Sequence, residues 1–199
     1  MTAKTVAIID GGGANIASLN FALARLGCTG ELTVDPARIA AASHVILPGV
    51  GDAADCMRRL HDASLVELIP DLRQPFLGIC VGLQLLLAGS EENDARCIGV
   101  FPGIARRFES APDRPVPHMG WNQVRRQRDS DLLADIPDGA HFYFVHSYAA
   151  EVTGDTLATS DYGRDFTAVL ERDNFAAAQF HPERSGEYGA TFLKNFLRR

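Results

Sequence analysis

The sequence predicts an α/β fold with a mostly parallel central sheet flanked by helices and an antiparallel β extension in the second half. In the first half, short apolar runs alternate with amphipathic stretches, which is the order of βαβ units. In the second half, β-rich runs follow one another across tight polar or glycine-containing links, as in antiparallel sheets. In such a fold, ligands are expected at the carboxyl ends of the parallel strands.

The first half is expected to begin with a strand at 5–10 that ends in an acid. Ile16, Leu19, Leu23 and Leu26 then recur at helical spacing before Gly27 stops the helix. The later elements expected here are a strand at 32–34, a short helix that the Asp35-Pro36 pair opens and that runs to 42, a strand at 44–47, a helical region at 52–72 with a break near 62–64, a strand at 76–79 and a helix at 81–88.

The second half is expected to contain mainly short strands and one closing helix. The strands are predicted at 100–108, 122–126, 142–148, 156–160, 168–171 and 176–180, and the helix at 186–197. The sequence contains no internal repeat, low-complexity segment or linker. We therefore expect a single domain over residues 1–199.

Composition excludes several classes of protein. Hydrophobic residues make up 46% of the chain and charged residues 22%, as in ordinary soluble domains. No uncharged apolar run approaches the ~20 residues of a membrane helix, and the N-terminus leads directly into the first strand. These features predict a cytoplasmic protein with no membrane partner. The net charge of −6 argues against nucleic-acid binding. The basic clusters at 106–107 and 125–128 are expected to be solvated strand ends, with a docking surface for another protein as the alternative.

Neither a metal nor a nucleotide cofactor is expected. The four cysteines are Cys28, Cys56, Cys80 and Cys97; they form no C-x-x-C pair, and no histidine lies at zinc-site spacing. The glycines at 11–13 follow a strand but lack the G-x-G-x-x-G spacing of dinucleotide sites. Cys28 and Cys56 are expected to be packing residues.

Cys80 lies in a pattern that predicts a nucleophile. The segment Gly78-Ile-Cys80-Val-Gly82 places it between two glycines where a buried strand runs into a helix. A sharp turn there exposes the thiol at the helix N-terminus, where backbone N–H groups favour a thiolate. The glycines let neighbouring backbone pass without Cβ clashes, and the N–H of Val81 can help to bind an oxyanion.

A cysteine nucleophile needs a base, and His181 is the best candidate. It directly follows an apolar strand, and Glu183 can orient its imidazole as the third member of a triad. The alternative is that Cys80 only packs in the core and that His181 is a polar residue unrelated to it. Of the other histidines, His44 and His61 are expected at the surface, whereas His118, His141 and His146 flank short strands and are expected to make structural hydrogen bonds.

With these motifs the chain resembles the class I (triad) glutamine amidotransferases, whose fold is flavodoxin-like. The resemblance spans essentially the whole chain, and the elbow and Phe180-His-Pro-Glu183 mark the superfamily. Within it, Pro48-Gly-Val-Gly51, Pro117-His-Met-Gly-Trp-Asn122 and Tyr143-Phe-Val-His-Ser-Tyr148 resemble the glutaminase subunits of imidazole glycerol phosphate synthases. Two departures are visible: Gly11–Ala14 stands where the family often has a tyrosine after the aspartate, and the elbow reads Val-Gly-Leu rather than Leu-Gly-Met.

The resemblance implies roles for further residues. L-glutamine would be held partly through backbone groups by Gln84, Glu92, Ser147 and Tyr148. The loop Gly49, Val50 and Gly51 would add an oxyanion-hole N–H, after a peptide reorients, to that of Val81. The implied partner is a (β/α)8-barrel cyclase, and the residues expected to face it are Trp121, Asn122, Tyr143 and Arg184.

Trp121 has a second interpretation, as the core of a hairpin. Gly120 and Asn122 on either side favour a turn at the interface instead. The resemblance implies no cofactor, and it implies hydrolysis of glutamine to glutamate with transfer of ammonia to the cyclase in histidine biosynthesis. The alternatives are a glutaminase subunit serving chorismate chemistry (anthranilate or aminodeoxychorismate synthesis), a stand-alone cysteine peptidase or amidase, and a non-catalytic regulatory module.

Overall fold

The computed structural model describes residues 4–11 and 16–199 of the chain. The strands are β1 (Thr5–Ile9), β2 (Thr29–Thr33), β3 (His44–Gly49), β4 (Phe76–Cys80), β5 (Gly89–Ser90), β6 (Ala95–Arg96), β7 (Ile104–Arg107), β8 (His118–Arg126), β9 (Ala140–His146), β10 (Tyr148–Ala150), β11 (Thr156–Asp161), β12 (Asp165–Arg172) and β13 (Phe175–Ala178). The helices are α1 (Ile16–Arg25), α2 (Pro36–Ala41), α3 (Ala53–Asp62), α4 (Val81–Leu85) and α5 (Gly186–Leu197).

A nine-stranded mixed sheet organises the molecule, in the order β2-β1-β3-β4-β13-β12-β11-β8-β9. The pairs from β2 to β13 are parallel, and the pairs from β13 to β9 are antiparallel. The predicted fold, a parallel first part with an antiparallel extension, is confirmed. A smaller sheet in the order β10-β7-β5-β6 packs beside it; its shortest strands, β5 and β6, were not predicted.

The central parallel strands are buried over their whole length. All five residues of β4 are buried, as are five of the six residues of β3. Strands covered by helices on both faces must be apolar on both faces, and this explains why these segments appear as continuous apolar runs in the sequence. The predicted cap at Asp35 is also present, because its Oδ1 accepts a hydrogen bond from Ala37 N at 2.9 Å and α2 begins at Pro36.

The last strand, β13, joins the parallel and the antiparallel parts of the sheet. The segment near 176–180 is expected in the antiparallel extension, and β13 does pair antiparallel with β12. On its other side, however, β13 runs parallel to β4, with Phe175 opposite Phe76 and Ala178 opposite Ile79, which the sequence pattern did not predict. The physical reason is composition, since all four residues of β13 are buried and its alanines pack within the sheet interior. Both strands therefore end at the same edge of the sheet.

Several smaller predictions were wrong. The helical region at 52–72 breaks where expected, since α3 ends at Asp62, but it resumes only as a 3₁₀ turn at Ile69–Asp71. The predicted helix at 81–88 stops at Leu85, and the strand near 100–108 begins only at Ile104. His44, expected at the surface, is buried. The glycine turn and Asn15 fall largely outside the described residues, which omit 12–15. Among the described residues, every helix is too short or too polar to cross a bilayer.

Candidate active site

The turn at Cys80 joins β4 to α4 in the strained geometry that the sequence predicts. Cys80 has φ 55° and ψ −109°, a conformation that a non-glycine residue adopts only under constraint from its surroundings. The flanking glycines are needed for packing: a Cβ on Gly82 would lie 1.9 Å from the Leu47 carbonyl oxygen, and one on Gly78 would lie 2.7 Å from the Gly82 carbonyl oxygen. The close approach of β3 and α4 therefore shapes the turn.

His181 and Glu183 are brought to Cys80 by the pairing of β13 with β4. His181 follows β13 and Glu183 lies in the 3₁₀ turn Pro182–Arg184. The imidazole Nδ1 lies 2.8 Å from Glu183 Oε1, and both side chains are buried. Because a carboxylate only accepts, Nδ1 carries the proton and Nε2 is left for the nucleophile. The three residues of the predicted triad thus meet at one edge of the sheet.

The charge environment of His181 favours its protonated form. Burial disfavours the imidazolium and by itself lowers the pKa of His181, but hydrogen bonding and attraction to Cys80 and Glu183 outweigh burial and raise that pKa above its usual 6.5. Its Nε2 makes no hydrogen bond of regular geometry within the described residues, although Cys80 is near enough to act on the pKa of His181. An imidazolium beside the sulfur stabilises a thiolate.

A cavity of about 280 Å³ opens over the Cys80 sulfur. This volume is near the lower end of small-molecule sites, roughly 300–1,000 Å³, and fits a small substrate. The residues that line it are Val50, Gly51, Cys80, Val81, Gln84, Glu92, Pro117, Val145, His146, Ser147, Tyr148 and His181. Gly49 lies in a small adjoining pocket with His181 and Glu183. All residues predicted to bind glutamine or to form the oxyanion hole therefore lie here, and their roles remain predictions.

Glu92 connects the cavity to the predicted oxyanion loop. Its Oε2 accepts a hydrogen bond from Ala53 N at 2.8 Å, at the N-terminus of α3. The N-cap of that helix, Asp52, directly follows the loop 48–51. Burial raises the pKa of the Glu92 carboxyl. Glu92 therefore contacts the first residue of the helix that directly follows the loop. A group bound to Glu92 is linked to the loop through this helix N-terminus.

An exposed aromatic cluster lies on the outer face of β8 and β9. Trp121 is 56% exposed, its ring meets that of Tyr143 at 6.1 Å and 72°, and Arg184 stacks its guanidinium 4.7 Å from the Tyr143 ring. The turn expected around Trp121 is wrong, because the residue lies inside β8. Asn122 points to the other face, where its amide donates to the Asp161 carbonyl at 2.7 Å. The interface role of all four residues remains a prediction.

His146 also lines the cavity, although the sequence pattern predicts no site role for it. It is buried, and it forms a pair with buried His118 through a contact of 3.0 Å between His146 Nε2 and His118 Nδ1. His146 Nδ1 donates to the Tyr148 carbonyl at 2.8 Å. The period-two alternation of β9, with its even-numbered residues buried, is the signal that could have placed His146 inside.

The buried histidines predict a loss of stability in mild acid. Burial lowers the pKa of His118 to about 4, of His146 to about 3 and of His44 to about 4, so they stay neutral in the folded chain where the unfolded chain takes up protons. Each of these histidines then lowers the free energy of unfolding by about 2 kcal/mol at pH 5. The raised pKa of His181 acts oppositely, giving stability that is present below 6.5 and lost as the pH rises.

Because His44, His118 and His146 destabilise the fold in acid and only His181 acts in the opposite direction, we expect the free energy of unfolding in urea to fall from pH 7.5 to pH 5. An equal or higher value at pH 5 would contradict this balance. The variant His118→Phe should show a smaller difference between the two pH values than the native chain, since it removes one of the three groups.

Comparison with known proteins agrees with this geometry. The profile of the family Glutamine amidotransferase class-I matches residues 7–199. The imidazole glycerol phosphate synthase subunit HisH of Xanthomonas axonopodis pv. citri is 52% identical over 192 residues, 96% of each chain, and that of Xylella fastidiosa is 50% identical over the same share. A putative GMP synthase protein from Thermoplasma acidophilum has the same fold, with a TM-score of 0.76 at 19% identity, over 100% of this chain and 94% of that one.

The profile covers almost all of the chain, and the relatives are far more similar than membership of a family requires. The buried cysteine, histidine and glutamate lie where two parallel strands end, in a fold shared with a solved relative. The chain therefore belongs to the class-I glutamine amidotransferase family.

Proposed function

We propose that this chain is the glutaminase subunit of an imidazole glycerol phosphate synthase. The observation that carries the proposal is the buried Cys80, His181 and Glu183 beneath a cavity sized for a small substrate. The similarity to HisH subunits over 96% of the chain supports this choice within the family. We also propose that residues 1–199 form one amidotransferase domain, since strands from both halves share the central sheet.

In the proposed reaction, the Cys80 thiolate attacks the side-chain amide carbon of L-glutamine. His181, held by Glu183, takes the thiol proton and later donates a proton to the departing ammonia. Water then hydrolyses the glutamyl thioester with His181 as base, and glutamate leaves with the sulfur restored. The hydrogen bond from Nδ1 to the buried Glu183 carboxylate keeps the imidazole in the tautomer that this sequence of proton transfers requires.

The tetrahedral intermediates need donors for their oxyanion. Val81 follows the nucleophile at the start of α4, and the loop Gly49–Gly51 faces the same space. Removal of one such donor costs on the order of 10²–10³ in rate. Gly51, with φ 97°, gives the loop the freedom to reorient a peptide.

The ammonia would pass to a (β/α)8-barrel cyclase and join N1-(5-phospho-ribulosyl)formimino-AICAR phosphate, giving imidazole glycerol phosphate and AICAR. The exposed Trp121, Tyr143 and Arg184 form an aromatic and cationic surface of the type enriched in protein interfaces. We place the protein in the cytoplasm without cofactor, nucleic-acid or membrane partner, in keeping with its net charge of −6.

The test is reconstitution with the barrel cyclase. Glutamine should support synthesis of imidazole glycerol phosphate only when both proteins are present. The chain alone should hydrolyse glutamine far more slowly than the complex loaded with cyclase substrate, because completion of the oxyanion hole waits on the loop. Glutamate release and product formation measure the two activities. Equal glutamine turnover by the isolated chain would contradict the switch, and selective capture of a chorismate-binding synthase would overturn the assignment.

A further inference from the structure

Two buried glutamine side chains link the wall of the cavity to the nucleophile. Gln84 Nε2 donates to the Tyr148 carbonyl at 2.9 Å and to Gln179 Oε1 at 3.2 Å. Gln179 Nε2 in turn lies 3.7 Å from the Cys80 sulfur, a normal length for an N–H···S contact. Gln179 is 0% exposed and Gln84 2%, so water does not compete for these bonds. Neither the triad nor the oxyanion hole accounts for Gln179.

The orientation of both amides follows from one atom. The carbonyl oxygen of Tyr148 can only accept, so the end of Gln84 that faces it is the NH₂ group. The same NH₂ faces Gln179, so that end of Gln179 is its oxygen. The other end of Gln179, toward Cys80, is therefore its NH₂ group. His146 also donates to the Tyr148 carbonyl and so helps to hold in place the acceptor that orients both amides.

The sheet places Gln179 beside Cys80. Strands β13 and β4 pair in parallel with Ala178 opposite Ile79, and Gln179 and Cys80 are the next residues along each chain. The backbone of Gln179 is fixed by donation from its N–H to the Ala168 carbonyl at 2.9 Å. A side chain on such a rigid support is pre-organised and needs no rearrangement to reach the sulfur.

The groups around the Cys80 sulfur show why a further hydrogen-bond donor would stabilise its thiolate. As a thiol, Cys80 donates to the Val145 carbonyl at 3.7 Å; as a thiolate it loses that bond and faces the carbonyl dipole. The titratable groups around it are His181 with Glu183, and His146, Glu92 and Tyr148 across the cavity. His181 stabilises the anion only while protonated, and in the proposed reaction it loses its proton to departing ammonia and regains one from water. A neutral amide N–H keeps its hydrogen throughout.

We propose that Gln179 is a further catalytic residue, which hydrogen-bonds the Cys80 sulfur and stabilises the thiolate, and that Gln84 positions it. The inference rests on the proposed function, in which Cys80 is the nucleophile. In this proposal Gln179 stabilises the sulfur anion mainly at two steps: before attack on the amide, and when the sulfur leaves the glutamyl thioester as an anion. In addition to lining the glutamine cavity, Gln84 holds the donor in place.

The test is the pH dependence of Cys80 alkylation by iodoacetamide, followed by mass spectrometry of the Cys80 peptide. Only the thiolate reacts, so the profile reports its population. In Gln179→Met, which keeps length but removes the donor, the midpoint should move to higher pH by about one unit, a roughly tenfold fall in reactive thiolate at pH values below both midpoints. Gln84→Met should shift it in the same direction, and the double variant should shift it no further than Gln179→Met.

Gln74→Met is the matched control. Its Nε2 donates to the Ile39 carbonyl at 2.9 Å, away from the cavity, so it loses a similar bond and should leave the profile unchanged. An unshifted profile in folded Gln179→Met overturns the proposal; if that variant does not fold, an unshifted Gln84→Met does so. Alkylation needs neither glutamine nor cyclase. A shift therefore supports the role of Gln179 even if the substrate is another amide, and its absence counts against Gln179 even if the glutaminase assignment stands.

Discussion

The variant Cys80→Ala, assayed with the barrel cyclase, is expected to lose all glutamine-dependent synthesis while synthesis from added ammonia persists. The thiolate is the only group proposed to attack the amide carbon, whereas ammonia supplied from solution bypasses that step. The measurement is product formation with glutamine or with an ammonium salt as nitrogen donor. Alanine removes the sulfur without adding volume at the buried turn, so the fold and docking should be preserved.

Cys97→Ala is the matched control for this experiment. Cys97 is a buried cysteine as well, but burial raises the pKa of its thiol to about 11, so it stays protonated and inert. This variant should keep glutamine-dependent synthesis. Loss of the ammonia-dependent reaction in Cys80→Ala would show instead that Cys80 is needed for folding or for assembly with the cyclase.

A second large effect is expected from Gly82→Ala. Within α4, alanine is intrinsically better than glycine by about 1 kcal/mol. The new Cβ would however lie 1.9 Å from the Leu47 carbonyl oxygen, and backbone on both sides cannot yield as a flexible side chain would. We expect overpacking to dominate and the free energy of unfolding in urea to fall by about 3 kcal/mol or more, with a loss of Cys80 reactivity because the turn is displaced.

Gly154→Ala tests whether the cost comes from the clash rather than from the loss of a glycine. A Cβ at Gly154 meets nothing within 4 Å, and its backbone lies outside the left-handed region. Its stability should stay close to that of the native chain. If Gly82→Ala were also within about 1 kcal/mol of native, β3 and α4 would not be packed as closely as the structure indicates.

The parts of the site that could be predicted from sequence are those that depend on local geometry. A cysteine between two glycines at a strand–helix junction defines the turn within five residues, and Cys80 does adopt the expected strained conformation. His181 directly before a proline and two residues from Glu183 defines the second local unit, with the ion pair formed inside it. The helix Gly186–Leu197 and the cap at Asp35 were predictable for the same reason.

The parts that could not be predicted depend on contacts between distant segments. Burial of His44 arises from packing against Phe196 of α5, whose ring lies 5.4 Å away. The position of Trp121 within strand β8 depends on pairing with β9, which overrode the turn preference of its neighbours. Local propensity carries no information about such partners.

By itself the sequence determined that the chain carries a nucleophile turn, an orienting histidine–glutamate pair and an α/β fold whose strand ends hold the site. Only the tertiary structure decided that these units meet. Strand β13 lies between β4 and the antiparallel extension and runs parallel to β4, and parallel neighbours bring their carboxyl ends to one edge. That pairing sets His181 and Gln179 around the Cys80 sulfur, because strand register, which is fixed by long-range burial, decides which side chains meet.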